Sequence, residues 1–200
     1  MPAAVLVPVK DFRQAKLRLA GILSPDDRRS LARSMATRVI DAARDLPTFV
    51  VCDDETVAAW ADALGAGVLW RPGLGLNGAV SDGVATLTAE GFSRVLVAHS
   101  DLPLAHRLGW IAALPGVTLV PDRRDDGTNV ACVPGSSGFE FAYGPGSFRR
   151  HAAEARRLGL PVRVVREPRL AWDVDVPDDL SSAVLEEVLP WQPTSPVSPH

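Results

Sequence analysis

The sequence predicts an α/β fold: a mostly parallel, doubly wound sheet with a small antiparallel portion, in one domain. Three observations carry that prediction. Val-rich, continuously apolar runs of strand length recur along the chain, as expected for strands buried on both faces. Most are followed by a segment whose apolar residues return at helical spacing, the alternation that builds a parallel sheet. After residue 125 the rhythm changes to two extended segments joined by a Pro-Gly-Ser-Ser-Gly turn, which reads as an antiparallel pair.

In chain order, "AAVLVPV" is the first strand. "LSPDDRRSLARSMATRVIDAARDL" is a helix, with Ser24 as its cap, Pro25 in the first turn, and Asp26 and Asp27 at its positive end. Leu31, Met35, Val39, Ala42 and Leu46 form its apolar face. "TFVVC" is a strand, residues 55–64 a helix, "GVLW" a short strand and "LNGAVSDGVATLTAEG" a helix. "RVLVAHSD" is a strand that runs into polar residues, residues 106–114 a helix, and "GVTLVPD" a strand. "TNVACV" and "FEFAY", joined by "PGSSG", are the expected antiparallel pair. "GSFRRHAAEARRLGL" is a helix with Ser147 as cap, "PVRVVRE" a strand and "DDLSSAVLEEVL" a last helix. Residues 1–189 are read as the domain, and residues 190–200, with four prolines, as a disordered tail.

A chain of 200 residues, 46% hydrophobic and 22% charged, has enough apolar material for one full core. The net charge of −3 argues against nucleic acid or an anionic membrane as the partner, since both require a basic face. Cys52 and Cys132 lie in apolar runs and read as buried thiols in a reducing compartment. The opening "MPAAVLVPVK" has no basic stretch before its short apolar run, unlike a signal peptide or a membrane span. These features predict a cytoplasmic protein.

Ligands of open α/β sheets bind beyond the carboxyl ends of the parallel strands, so the residues after each strand matter most. The first strand is followed by Lys10, Arg13, Lys16 and Arg18, and a later one by Asp101 in "HSDLPL". "PDRRDDGTN" follows the next strand, and Asp173 and Asp175 stand two apart in "WDVDVP". In an extended segment that spacing puts both carboxylates on one face. Cations and carboxylates meeting at one sheet edge suit a triphosphate and a hard divalent metal. Each residue also has an ordinary reading. Loop cations are commonly solvated, and Arg13 is read that way. Asp101 also suits a turn cap, and Asp173 and Asp175 also suit a turn before Pro177. His99 and His106 lack zinc-like spacing and are read as structural. "GLGLNG" lacks the Lys-Ser/Thr ending of a phosphate-binding P-loop.

Taken together and in order, five blocks resemble the guanylyltransferases of coenzyme F420 biosynthesis. They are "VPVKDFRQAKLRLAGILSPDDRRSLARSM", "SDLPL", "PDRRDDGTN", "FAYGPGSFRRHAAEARRLGL" and "LAWDVDVPDDL", and they span roughly residues 4–182. The resemblance implies a single-domain nucleotide-diphospho-sugar transferase-like fold. It implies transfer of a guanylyl group from GTP to 2-phospho-L-lactate, phosphoenolpyruvate or a related phospho-acid, with release of pyrophosphate. It assigns Asp101, Asp173 and Asp175 to magnesium, and Thr128, Gly144 and Ser147 to the acceptor acid. It assigns Lys10, Lys16 and Arg18 to the triphosphate, and Asn77 to the guanosine side. His99 and the bulky Trp172 depart from the family pattern, Trp172 as a residue that shapes the acceptor pocket. The expected partners are GTP and a small phospho-acid. The oligomeric state is left open, a homodimer among the options. Two rivals are weighed. A cytidylyl- or molybdopterin-guanylyltransferase would open with a Gly-rich stretch in place of "VPVKDFRQAKLRL". A non-catalytic nucleotide-binding protein would need fewer carboxylates beside a triphosphate. Within the guanylyltransferases, another acceptor such as 3-phosphoglycerate remains the alternative.

Overall fold

The computed structural model describes residues 2–180, and the expected last helix and the Pro-rich tail lie almost wholly outside them. Among the described residues, seven strands form one sheet: β1 (Ala3–Pro8), β2 (Thr48–Cys52), β3 (Gly67–Trp70), β4 (Arg94–Ala98), β5 (Val117–Pro121), β6 (Thr128–Pro134) and β7 (Val162–Val164). Their spatial order is β3-β2-β1-β4-β6-β5-β7. All neighbours pair in parallel except β6, which runs antiparallel to both β4 and β5. The antiparallel portion is therefore one reversed strand in the middle of the sheet.

Alternate side chains of β1 enter opposite layers, as the two-residue period of a strand requires. Val5 and Val7 join a core formed with α1 (Pro25–Ala42), α2 (Glu55–Ala63) and the short α4 (Gly109–Ala112). Ala4 and Leu6 join the other, formed with α3 (Gly75–Ala89) and α5 (Ser147–Arg157). Helices thus cover both faces, the doubly wound arrangement that the sequence predicts. Ser24 caps α1 by accepting from the Asp27 amide at 3.1 Å. Cys52 and Cys132 are both buried and unpaired. Among the described residues, no helix is long and apolar enough to cross a membrane.

Three local expectations are corrected. "FEFAY" is not a strand, although it is extended and apolar. Side chains satisfy its amides in place of a partner strand: Glu140 donates to Glu154, Ala142 to His151 and Tyr143 to Asn77. Its rings Phe139, Phe141 and Tyr143 pack into the α3–α5 layer. The expected helix over 106–114 shrinks to the four residues of α4. Ser147 is the first residue of α5, and the capping position belongs to Gly146 at φ 74°.

A third, smaller core joins distant parts of the chain. Leu19, Leu23, Leu31, Met35 and Val174 are buried together, with Trp172 and Leu104 packed against them. Burying each such side chain stabilises by about 1.5–3 kcal/mol. This cluster fastens the loop after β1 to the segment that carries Asp173 and Asp175.

Candidate active site

A cleft of about 440 Å³ opens at the carboxyl ends of β1 and β4, and Lys10, Lys16, His99, Asp101, Gly144 and Asp175 line it. Its cationic wall comes from the loop after β1. Asp11 accepts from the Arg13 amide at 2.9 Å and starts a short 3-10 turn. The Arg13 side chain is held by Asp11 and Asp54, so it serves the loop, in line with its ordinary reading. Lys16 sits at φ 55°, a left-handed conformation that is uncommon for a residue with a Cβ. The chain then turns so that Leu19 drops into the third core while the Lys16 side chain enters the cleft, 11% exposed.

Lys16 Nζ donates to Asp101 Oδ2 at 2.6 Å and to Asp175 Oδ1 at 3.2 Å. One ammonium therefore bridges two carboxylates that lie 85 and 159 residues further along the sequence. Burial opposes the Lys16 charge, but Asp101 and Asp175 more than offset it and raise its pKa. Burial likewise opposes the charge of Asp101, and Lys16 and His99 bring its pKa below the ordinary value. Arg18 stands at the rim, 74% exposed, with Nη1 3.5 Å from Asp175 Oδ2. Lys10 lines the cleft without an ion pair among the described residues.

Asp173 belongs to the same cluster of charge. Burial, then the charges of Asp101 and Asp175, push its pKa up to about 6. The segment 173–176 is clamped from two sides. Val174 donates its amide to Asp101 O at 3.3 Å. Asp179, fully buried, accepts the amides of Asp175 at 2.6 Å and Val176 at 2.9 Å. Asp179 also forms a close ion pair with Arg123, whose guanidinium lies 4.1 Å over the Trp172 ring. Trp172 is accordingly a platform for Arg123 and a wall of the third core; it is absent from the residues that line the cleft. Nothing in the sequence singled out Asp179; its only signal is its place three residues after Val176, at capping distance.

On the other side, Gly144 at φ 118° carries the backbone along the cleft in a conformation that suits glycine. Thr128 and Ser147 stand behind it, each 1% exposed, their hydroxyl oxygens 3.5 Å apart. Ser147 donates its amide to Gly144 O at 3.0 Å. At the start of α5 the Gly146 amide is taken by Asp126 Oδ1 at 3.0 Å. Asn77 is not open toward the cleft: its amide group accepts from Tyr143 N at 2.6 Å and donates to Tyr143 O at 3.4 Å. It fixes the approach to Gly144. His99, read as structural, proves to be part of the cleft wall, its imidazole ring 4.8 Å from that of Tyr143.

Among the described residues, no three His, Cys, Asp or Glu side chains gather closely enough to hold a metal. Lys16 supplies the positive charge between Asp101 and Asp175. The donor set nonetheless fits a hard cation: it is all carboxylate oxygen, and Asp101 Oδ1 is buried without a hydrogen-bond partner. An unpaired buried acceptor of this kind costs about 1–3 kcal/mol, which a bound cation would recover.

The family model for CofC-like guanylyl transferases matches residues 3–187. A phosphoenolpyruvate guanylyltransferase of Sphaerobacter thermophilus is 40% identical, over 90% of this chain and 91% of its own. One of Rubrobacter xylanophilus is 36% identical, over 90% and 93%. A 2-phospho-L-lactate guanylyltransferase of Methanothermobacter thermautotrophicus is 33% identical, over 92% and 85%. Among solved structures, a Desulfovibrio desulfuricans protein assigned to the nucleotide-diphospho-sugar transferases superposes with a TM-score of 0.72 at 18% identity, covering 88% of this chain and 84% of its own. A cytidylyltransferase of Leptospira borgpetersenii superposes with a TM-score of 0.58 at 14% identity, covering 90% and 83%.

Proposed function

The chain belongs to the CofC-like guanylyl transferase family, and from that premise we propose that it joins GTP to phosphoenolpyruvate or 2-phospho-L-lactate and releases pyrophosphate, a step toward coenzyme F420. Of these acceptors phosphoenolpyruvate is favoured, because the relatives at 40% and 36% identity carry that name. The observation that carries the reading is the Lys16 bridge between Asp101 and Asp175, which gathers cation and carboxylates at the ligand edge of the sheet.

In the reaction, a phosphate oxygen of the acceptor attacks the α-phosphorus of GTP. The bond from that phosphorus to the β-phosphate bridging oxygen breaks, and pyrophosphate leaves with the electron pair. Such transfers rest on positioning and electrostatics, with little covalent chemistry for the protein to perform. Lys10 and Lys16 place positive charge against the triphosphate oxygens. Arg18 offers a planar guanidinium that can grip two oxygens at once. Gly144 forms the acceptor wall, with Thr128 and Ser147 behind it. Asp101, Asp173 and Asp175 would hold Mg2+, which when bound neutralises charge on the α-phosphate and the departing pyrophosphate. Both substrates are small anions of the cell interior, which suits a cytoplasmic enzyme.

The test is direct. Purified protein with GTP and Mg2+ is given phosphoenolpyruvate, 2-phospho-L-lactate or 3-phosphoglycerate, and pyrophosphate release is followed. Turnover with phosphoenolpyruvate well above the others supports the reading. Preference for 3-phosphoglycerate would reassign the acceptor, and no release with any of them would overturn the enzyme assignment.

A further inference from the structure

Neither the family match nor the substrate assignments give a role to His151, which is fully buried in the middle of α5. Both of its ring nitrogens are engaged. The Ala142 amide donates to Nε2 at 2.9 Å, and Nδ1 lies 3.0 Å from Thr128 Oγ1. An amide N–H can only donate, so Nε2 is the nitrogen without a proton. The proton is then on Nδ1 and is donated to Thr128. The tautomer is thereby set by geometry. The imidazole is neutral in these surroundings, its ring packed 4.8 Å from Tyr143 and 5.7 Å from Phe139.

The two bonds lead to two different parts of the acceptor side. Thr128 opens β6, and its hydroxyl is 3.5 Å from that of Ser147. Ala142 lies two residues before Gly144, in the extended segment that lacks a partner strand. That segment depends on side chains to hold it, Asn77 at Tyr143 and His151 at Ala142. With its lone pair taken up by Nδ1–H, the Thr128 hydroxyl also keeps its own proton to donate, the polarity that an anionic acceptor requires.

We infer that His151 is the positioning residue of the acceptor side: it locks the strand that carries Thr128 to the segment that leads into Gly144. It holds both at the spacing the phospho-acid meets. This rests on the guanylyl-transfer reading above. His151 does not touch the reacting atoms, and the lysines that face the triphosphate lie across the cleft on the loop after β1. Its loss should therefore be felt by one substrate and not the other.

The experiment is steady-state pyrophosphate release, titrating phosphoenolpyruvate and GTP separately, with thermal melts to verify folding. His151→Phe keeps the ring among its aromatic neighbours and removes both hydrogen bonds. It is expected to raise the KM for phosphoenolpyruvate about 10-fold or more, with the KM for GTP within about twofold of wild type. His151→Gln places an acceptor near Nε2, and His151→Asn a donor near Nδ1. Each should recover part of the loss, and His151→Gln should add nothing further in a Thr128→Val background. A folded His151→Phe protein with an unchanged acceptor KM, or with both KM values raised equally, overturns the inference. Should that variant not fold, an acceptor KM within about twofold of wild type in both the Gln and Asn proteins overturns it as well. In those cases wild-type turnover still stands. Absence of wild-type turnover with every acceptor overturns the guanylyl-transfer reading first, and this inference with it.

Discussion

Lys16 Nζ lies 2.6 Å from Asp101 Oδ2, although 85 residues separate the two in sequence. The contact joins the loop after β1 to the end of β4, the two neighbouring strands at which the sheet changes direction of winding. Asp175 completes the bridge from 159 residues away. A single lysine thus sets positive charge between two carboxylates of the cleft.

That bridge predicts a kinetic signature. In the proposed reaction, Lys16→Ala removes a charge whose value grows as negative charge moves onto the leaving pyrophosphate, and it leaves Asp101 and Asp175 without the ammonium between them. We expect kcat to fall about 100-fold or more at saturating GTP. A raised KM for GTP with unchanged kcat would show that Lys16 only gathers the nucleotide. The readout is pyrophosphate release across a GTP titration.

Asp173→Asn separates function from stability. The change keeps volume and removes a carboxylate crowded by Asp101 and Asp175. Turnover should fall at least about 100-fold, while the thermal midpoint without added metal stays level or rises. A matched drop in midpoint and activity would mean that Asp173 acts through folding alone.

Gly144→Val tests the proposed acceptor side of the cleft. Its φ of 118° is one that a β-branched residue adopts only with strain. The KM for phosphoenolpyruvate should rise at least about 10-fold and exceed any change for GTP. Equal effects on both substrates would make this loop a general scaffold.

Asp179→Ala removes the clamp beneath Asp175. It strands the Arg123 guanidinium and frees two amides that Asp179 now accepts. A loss on the order of 3 kcal/mol is expected in urea unfolding, typical of breaking one side of a buried pair. Turnover at a temperature where the variant is folded should also drop, because Asp175 loses its backbone support. Normal stability would show that Arg123 and the freed amides find water instead.

His151 makes stability depend on pH. Burial, with smaller help from nearby positive charge, lowers its pKa to about 4. The unfolded chain then takes up a proton near pH 6.5 that the folded chain refuses until about pH 4. This contribution is complete above pH 6.5 and shrinks as the pH falls through that window. We expect roughly 2 kcal/mol less stability from this group at pH 5 than at pH 7, measured by urea unfolding. His151→Phe should flatten that part of the profile, and an identical slope in wild type and variant would exclude His151 as its source.

Much of this protein is legible in its sequence. The apolar runs marked the strands, and Ser24 followed by Pro25, Asp26 and Asp27 marked the start of α1 within a residue. Such signals are local: burial periodicity and caps are written within one or two turns of chain. The ordered motif blocks also pointed to some of the residues that line the cleft, Lys10, Lys16, Asp101, Gly144 and Asp175, though not to His99.

What the tertiary structure decided is who satisfies whom. "FEFAY" has the composition of a strand, yet His151 and Asn77 took its amides, so it became the extended segment that leads into Gly144 on the cleft wall. Asn77, placed on the guanosine side by motif, was recruited to hold Tyr143. Lys16 had two carboxylate partners that no nearby residue announced. The physical reason is common to all three. A backbone amide or a buried charge must find a partner, but any of several distant side chains can meet that demand. Sequence alone determined that the demand exists and which strands and helices surround it; only the packing of α1, α3 and α5 around the sheet determined which side chain arrives.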